Sequence, residues 1–255
     1  MMDLVRLISY IPKSIKNPRR PVTLILMKVV ELIARDKNAV RLLSWSYGRL
    51  PRIPLKNVFP GIETENVVLS KAFDRVRDTS IDLEEMLVLA AIVAHVKPKN
   101  ILEIGTYDGN TTLNMALNAP EEARITTVDL PPDWDGKLEL RVPDEAVNVT
   151  DRMRVGGQYK GTEVERRIVQ IFCDSAKIDW DKMPTPFDFA FIDGCHYYDY
   201  VVGDTENVLK YLEEGGIIVW HDYGAIKDVS RVVDRVSENM KVHVIGGTRL
   251  AVGFK

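Results

Sequence analysis

Cysteine is nearly absent: the 255 residues hold two, Cys173 and Cys195. Two isolated cysteines make no disulfide framework, and no C-x-x-C or similar ligand spacing occurs. A reducing, cytoplasmic setting is the expectation. Long apolar runs are also missing. The longest, Val22 to Ala34, is interrupted by Lys28 and Glu31 and falls well short of the ~20 residues a spanning helix needs. No small-residue cleavage site follows it, so it does not read as a secretory leader. No internal repeat or low-complexity tract occurs.

What is present is an ordinary globular mixture, 45% hydrophobic and 28% charged, long enough for one large α/β domain plus an extension. The charge is unevenly spread. Residues 1–57 hold twelve Lys or Arg against Asp3, Glu31 and Asp36, a net of +9, while the whole chain nets −3. This asymmetry leaves two readings open: an anionic partner for the extension (a membrane surface, nucleic acid or an acidic protein), or a basic arm lying on its own acidic domain.

Prolines at 12, 18 and 21 separate helical segments in the first fifty residues, and Pro51, Pro54 and Pro60-Gly61 form a stiff connector. The expected division is a basic helical extension over 1–60 and a catalytic domain over 61–255. The stretch 62–78 has no clear pattern. Thr79 with Asp82 resembles a capping box before an apolar helix that runs to Val96. Strand and helix patterns then alternate. Strands are expected at 100–104, 124–128, 168–172, 187–192 and 217–220, and Gly215-Gly216 is expected to stop the helix before the last of these. Val229, Val232, Val233 and Val236 mark a further helix, and Gly246-Gly247 joins a closing hairpin. The expected fold is α/β and Rossmann-like: a mainly parallel seven-stranded sheet with an antiparallel last strand.

Ligands of such sheets bind at the carboxyl ends of strands, so the strand-end residues carry the chemistry. The first end reads Glu103-Ile104-Gly105-Thr106-Tyr107-Asp108-Gly109-Asn110-Thr111-Thr112. Glycines 105 and 109 admit close backbone approach, and the helix opening at Thr111 suits an anion. The G-x-G-x-x-G fingerprint is not met, because Tyr107 stands where a second glycine belongs; this argues against a nicotinamide or flavin enzyme. Asp129, followed by Leu130, closes the second strand and can accept from both hydroxyls of a ribose. Asp174-Ser175 follows the third; it could frame an adenine or simply cap a turn.

E-I-G-T-Y-D-G-N-T-T, V-D-L, C-D-S, F-I-D-G-C-H and W-H-D-Y, in that order over residues 80–255, resemble the class I methyltransferases. The nearest resemblance is to the branch of small-molecule O-methyltransferases related to cephalosporin hydroxylase and the sugar- and antibiotic-modifying enzymes. The resemblance implies S-adenosyl-L-methionine as cofactor. It implies that Glu103 with the loop Gly105, Thr106, Gly109 and Thr111 holds the methionine part, that Asp129 and Leu130 serve the ribose, and that Asp174, Ser175 and Asp193 complete the site.

The fourth and fifth strand ends, Asp193-Gly194-Cys195-His196 and His221-Asp222-Tyr223, are the expected reaction centre. Asp193, His221 and Asp222 are the expected ligands of one divalent metal, magnesium or manganese. In metal-dependent relatives the second strand end carries an acidic or amide pair, and His221 departs from that pattern. His196 stands where catechol-type relatives carry a basic lysine and is the expected general base, with His221 the competing base if no metal binds. Either histidine could instead be a structural partner of a neighbouring Asp. The segment from Leu130 to Arg167 is expected to be a lid. The expected partner is a small-molecule acceptor, a sugar or glycoconjugate being one option, with a homo-oligomer left open. The alternative function is an RNA or protein methyltransferase that uses residues 1–57 as an arm.

Overall fold

The computed structural model describes residues 47–71, 81–134, 137–142, 155–184 and 186–255. Most of the basic extension, Thr79 of the expected capping box and residues 143–154 of the expected lid lie outside this set.

Eight strands form one sheet: β1 (Arg52–Ile53), β2 (Asn100–Ile104), β3 (Arg124–Asp129), β4 (Ile168–Phe172), β5 (Phe187–Ile192), β6 (Leu212–Trp220), β7 (Lys241–Ile245) and β8 (Ala251–Phe254). Their order is β1-β7-β8-β6-β5-β2-β3-β4. Only β8 runs against its neighbours, pairing antiparallel with both β6 and β7. The order reverses between β2 and β5, which pair directly (Ile104 opposite Ile192). That reversal opens a crevice above the carboxyl ends.

Side chains alternate across the sheet because a strand has a two-residue period. Ile101, Phe189, Phe191 and Val219 face one core, against α1 (Leu83–Val96) and α2 (Asn110–Asn118). Leu102, Ala190, Ile192 and Ile218 face the other, against α3 (Tyr198–Tyr211) and α4 (Lys227–Val236). The valines at 229, 232 and 233 are buried on the inner face of α4, as their spacing predicts.

Four local expectations are revised. The expected seven strands are eight: Arg52–Ile53, within the proline-rich connector, pairs with Val244–Ile245 at the sheet edge. The helix before β6 ends at Tyr211, where the Leu212 N–H caps onto Val208. Gly215-Gly216 therefore lies inside β6, with Gly215 at φ +83° in an irregular stretch that shifts the register against β5. The capping box of α1 pairs Asp82 with Glu85, whose Oε2 accepts the Asp82 N–H at 3.3 Å. The helix after the glycine loop starts one residue early, at Asn110, with Gly109 at φ +83° as its cap.

The patternless stretch after Ile62 acquires a partner only in three dimensions. Asn110, Asn114 and Asn118, four residues apart on α2, clasp extended residues 68–71 through their amides. Asn118 and Asn114 each accept a backbone N–H and return a bond to the carbonyl of the same residue, Val68 and Ser70 respectively. Asn110 adds a bond to the carbonyl of Lys71.

Candidate active site

Hydrogen bonding continues one residue past several strands and gathers their ends on one rim. The Gly105 N–H donates to Val128 (2.9 Å), the Asp193 N–H to Ile104 (2.8 Å), and the His221 N–H to Ile192 (3.1 Å). Gly105 sits at φ +101°, and a Cβ there would lie 2.2 Å from the Asp193 carbonyl oxygen, so only glycine fits where β2 meets β5. The loop then turns through Tyr107 at φ +49°. Residues 155–159 pack on it: Gly156 and Gln158 donate to the carbonyls of Tyr107 and Asp108, and Val155 and Tyr159 are buried. This part of the expected lid thus belongs to the body of the domain.

The Asp129 carboxylate points at the rim. Its Oδ2 accepts the Tyr107 N–H and its Oδ1 the Leu130 N–H, both at 2.7 Å. Glu103 is fully buried. Its Oε2 accepts from the hydroxyls of Thr112 and Thr127, while Oε1 has no hydrogen-bond partner. Burial, with the charges of Asp193 and Asp129, outweighs the two hydroxyls and pushes the Glu103 pKa up to about 8. A buried acid with an orphaned oxygen calls for a hydrogen-bond partner. The ammonium of a bound amino acid moiety meets that requirement, and the resident groups fit S-adenosylmethionine on this ground.

Other residues expected at the cofactor have local employment. Thr106 is buried and bonds Thr127 (2.6 Å) and Gln170 (3.0 Å) through its hydroxyl. Thr111 is half-buried in the first turn of α2. Asp174, expected at the adenine, is 2% exposed and accepts from the Ala176 N–H (3.0 Å), the Glu139 N–H (2.8 Å) and the Tyr200 hydroxyl (2.8 Å). Ser175 is half-buried and opens the turn that Asp174 caps. Asp174 therefore caps the turn through Ala176 and also ties in donors from two other segments.

The acceptor end differs from its sequence-based reading at one residue. Asp193, His196 and Asp222 bring three ligand-type atoms within 4.8 Å of one another. His196 Nε2 lies 3.2 Å from Asp222 and 3.4 Å from Asp193, with the side chain 41% exposed. Burial alone would lower its pKa; the Asp193 hydrogen bond and the charges of Asp222 and Asp193 more than reverse this, and the net shift is upward.

His221, by contrast, is 4% exposed and faces a carboxylate at each nitrogen: Asp193 from Nδ1 (3.0 Å) and Glu85 from Nε2 (3.1 Å). Burial would depress its pKa, but Asp193, Glu85 and Asp222 hold it at about 10. Both ring nitrogens of His221 thus face carboxylates, and the cluster of ligand-type atoms that the structure brings together contains His196 in place of the expected His221.

Sequence reasoning missed Glu85 and Arg249. Glu85 is fully buried on α1, and Arg249 joins it to Asp222: Nη2 lies 2.6 Å from Glu85, and Nη1 2.6 Å from Asp222. The available signal was an acid on an otherwise apolar helix face, since a charge is rarely buried unless paired. Asp222 itself adopts φ +61°, an uncommon conformation for a non-glycine residue and one that recurs at functional sites.

A family profile described as a methyltransferase domain matches residues 102–223. A caffeoyl-CoA O-methyltransferase of Populus kitakamiensis is 26% identical over 182 residues, 68% of this chain and 68% of that protein. Among solved structures, an SAH-bound Podospora anserina methyltransferase superposes with a TM-score of 0.58 at 16% identity, covering 76% of this chain and 90% of its own. An O-methyltransferase from Bacillus cereus in complex with SAH gives 0.51 at 15% identity, covering 91% and 97%. The fold is therefore that of the class I methyltransferases. In sequence the chain is similar to S-adenosylmethionine-dependent O-methyltransferases.

Proposed function

We propose that the chain methylates a hydroxyl of a small molecule bearing two adjacent oxygens, at a centre where Asp193, His196 and Asp222 hold a divalent cation, magnesium or manganese. The observation that carries this reading is the convergence of those three groups at the rim. Two carboxylate oxygens and one imidazole nitrogen suit a first-row divalent ion, the nitrogen favouring manganese.

S-adenosylmethionine, when bound, supplies a methyl group already activated on a sulfonium. The metal, when bound, lowers the pKa of the acceptor hydroxyl. The chain's own residues supply orientation. Asp129 holds the ribose hydroxyls, Glu103 takes the methionine ammonium on Oε1, and the Gly105 backbone lets the cofactor lie against the rim. His196 serves as the nitrogen ligand. One observation favours a second reading without metal: His196 Nε2 already lies between Asp193 and Asp222 and is half exposed. In that case the imidazole of His196 receives the acceptor proton.

The deciding experiment treats the protein with chelator and assays methyl transfer to three acceptor types: caffeoyl-CoA (after the substrate naming the relative), a simple catechol and a sugar diol. Activity lost to chelator and restored by Mn²⁺ or Mg²⁺ supports the cation. Activity untouched by chelator rules the cation out and leaves His196 as base. Turnover confined to the sugar diol assigns the glycoconjugate acceptor, and turnover confined to the aromatic acceptors excludes it. Salt-sensitive RNA binding that is lost on deleting residues 1–57 would favour the arm-bearing alternative instead.

A further inference from the structure

Behind the acceptor centre stands one side chain that serves both of its carboxylates. Glu85 Oε2 accepts from His221 Nε2 (3.1 Å) and Arg249 Nη2 (2.6 Å); Oε1 accepts from the Arg249 backbone N–H (2.7 Å) and Nε (3.0 Å). Each partner then reaches forward. His221 donates from Nδ1 to Asp193 (3.0 Å), and Arg249 donates from Nη1 to Asp222 (2.6 Å). One carboxylate on α1 thus grips two cationic donors, and each donor grips one strand-end carboxylate.

We propose that Glu85 is a positioning residue of the acceptor centre: through His221 and Arg249 it sets where the Asp193 and Asp222 carboxylates stand, without touching substrate. The inference rests on the reading that Asp193 and Asp222 face the acceptor.

Two features separate this brace from ordinary packing. Glu85 lies among buried Met86, Leu89 and Ala90, where an apolar side chain would fill the core with no charge to desolvate. Replacing buried ion networks by apolar residues is often neutral or stabilising, so stability alone gives little reason for the acid. Second, the two arms are distinct. A planar guanidinium and an imidazole each span from Glu85 to a different strand end, which holds two mutually repelling carboxylates on one rim.

The test uses the full-length chain with Glu85→Gln, which keeps the shape and removes the charge, and Arg249→Lys, which keeps the charge and loses the planar fork. Mn²⁺ alone and S-adenosylhomocysteine are titrated separately by calorimetry. The expected result is unchanged S-adenosylhomocysteine affinity, with Mn²⁺ affinity reduced about 10- to 100-fold in Glu85→Gln, the usual consequence of losing a partner behind metal ligands. Mn²⁺ affinity equal to that of the unsubstituted protein overturns the proposal. If the unsubstituted protein takes up no Mn²⁺, the cation reading fails, and the brace is judged on a crystal structure of Glu85→Gln. Asp193 and Asp222 displaced from their places support it; both carboxylates unmoved overturn it. Should Glu85→Gln not fold, Arg249→Lys is read in the same way at Asp222.

Discussion

The two ends of the rim handle negative charge in opposite ways. At the cofactor end, Asp129 accepts backbone amides and Glu103 accepts threonine hydroxyls, and Glu103 keeps one buried oxygen without a partner. At the acceptor end, Asp193 and Asp222 are held by the protein's own cations. The pKa values follow: burial drives Glu103 up, whereas His221 and His196 pull Asp193 well below the usual carboxylate range despite burial. One end lacks a cation that a ligand can bring. The other is arranged beforehand, so that an acceptor meets fixed groups.

The largest effect that can break this comparison is expected at Asp222. Asp222→Ala should leave S-adenosylhomocysteine affinity intact and lower methyl transfer by about 10²- to 10⁴-fold, the range for loss of a positioned catalytic group. Calorimetry and a methyl-transfer assay on the same preparation check it; a matching loss of cofactor affinity would mean that the two ends are not separate. Asp129→Ala should act in the opposite sense. Two hydrogen bonds to a charged acceptor are worth about 1.5–3 kcal/mol each, so S-adenosylhomocysteine affinity should drop by about a hundredfold or more while Mn²⁺ binding stays unchanged. Affinity that survives this substitution refutes the ribose assignment.

The smallest effect concerns a proton. With its folded pKa at about 8, above the ordinary value of 4.5, Glu103 is protonated at neutral pH before ligand binds. The stability linked to this group is fully present below about pH 4.5 and is lost as pH rises through about 8. An incoming ammonium should pull the pKa down, so S-adenosylhomocysteine should release up to about one proton on binding near pH 7. Calorimetry in buffers of different ionisation enthalpy measures it. Glu103→Gln should abolish the release, and proton uptake on binding would contradict the assignment.

The strand-helix alternation was legible because each element carries its own period: two for β2 and β5, near four for the valines of α4. The rim residues were legible for the same reason, since a parallel sheet delivers its carboxyl ends to one edge. Contacts across the chain were not legible. The Glu85–His221 bond spans 136 residues and the Glu85–Arg249 bonds span 164, and no local pattern marks either. The contacts of Asp174 with Glu139 and Tyr200, 35 and 26 residues away, were equally unmarked.

By itself, then, the order of residues determined the class of fold and the edge at which its chemistry gathers, because hydrophobic period and strand-end position are properties of neighbours along the chain. Tertiary structure alone decided which histidine keeps an exposed nitrogen for chemistry and which is locked as a cation between two acids. That choice depends on which carboxylates packing brings within about 3 Å, the reach of a hydrogen bond, and α1 brings Glu85 to His221 from 136 residues away.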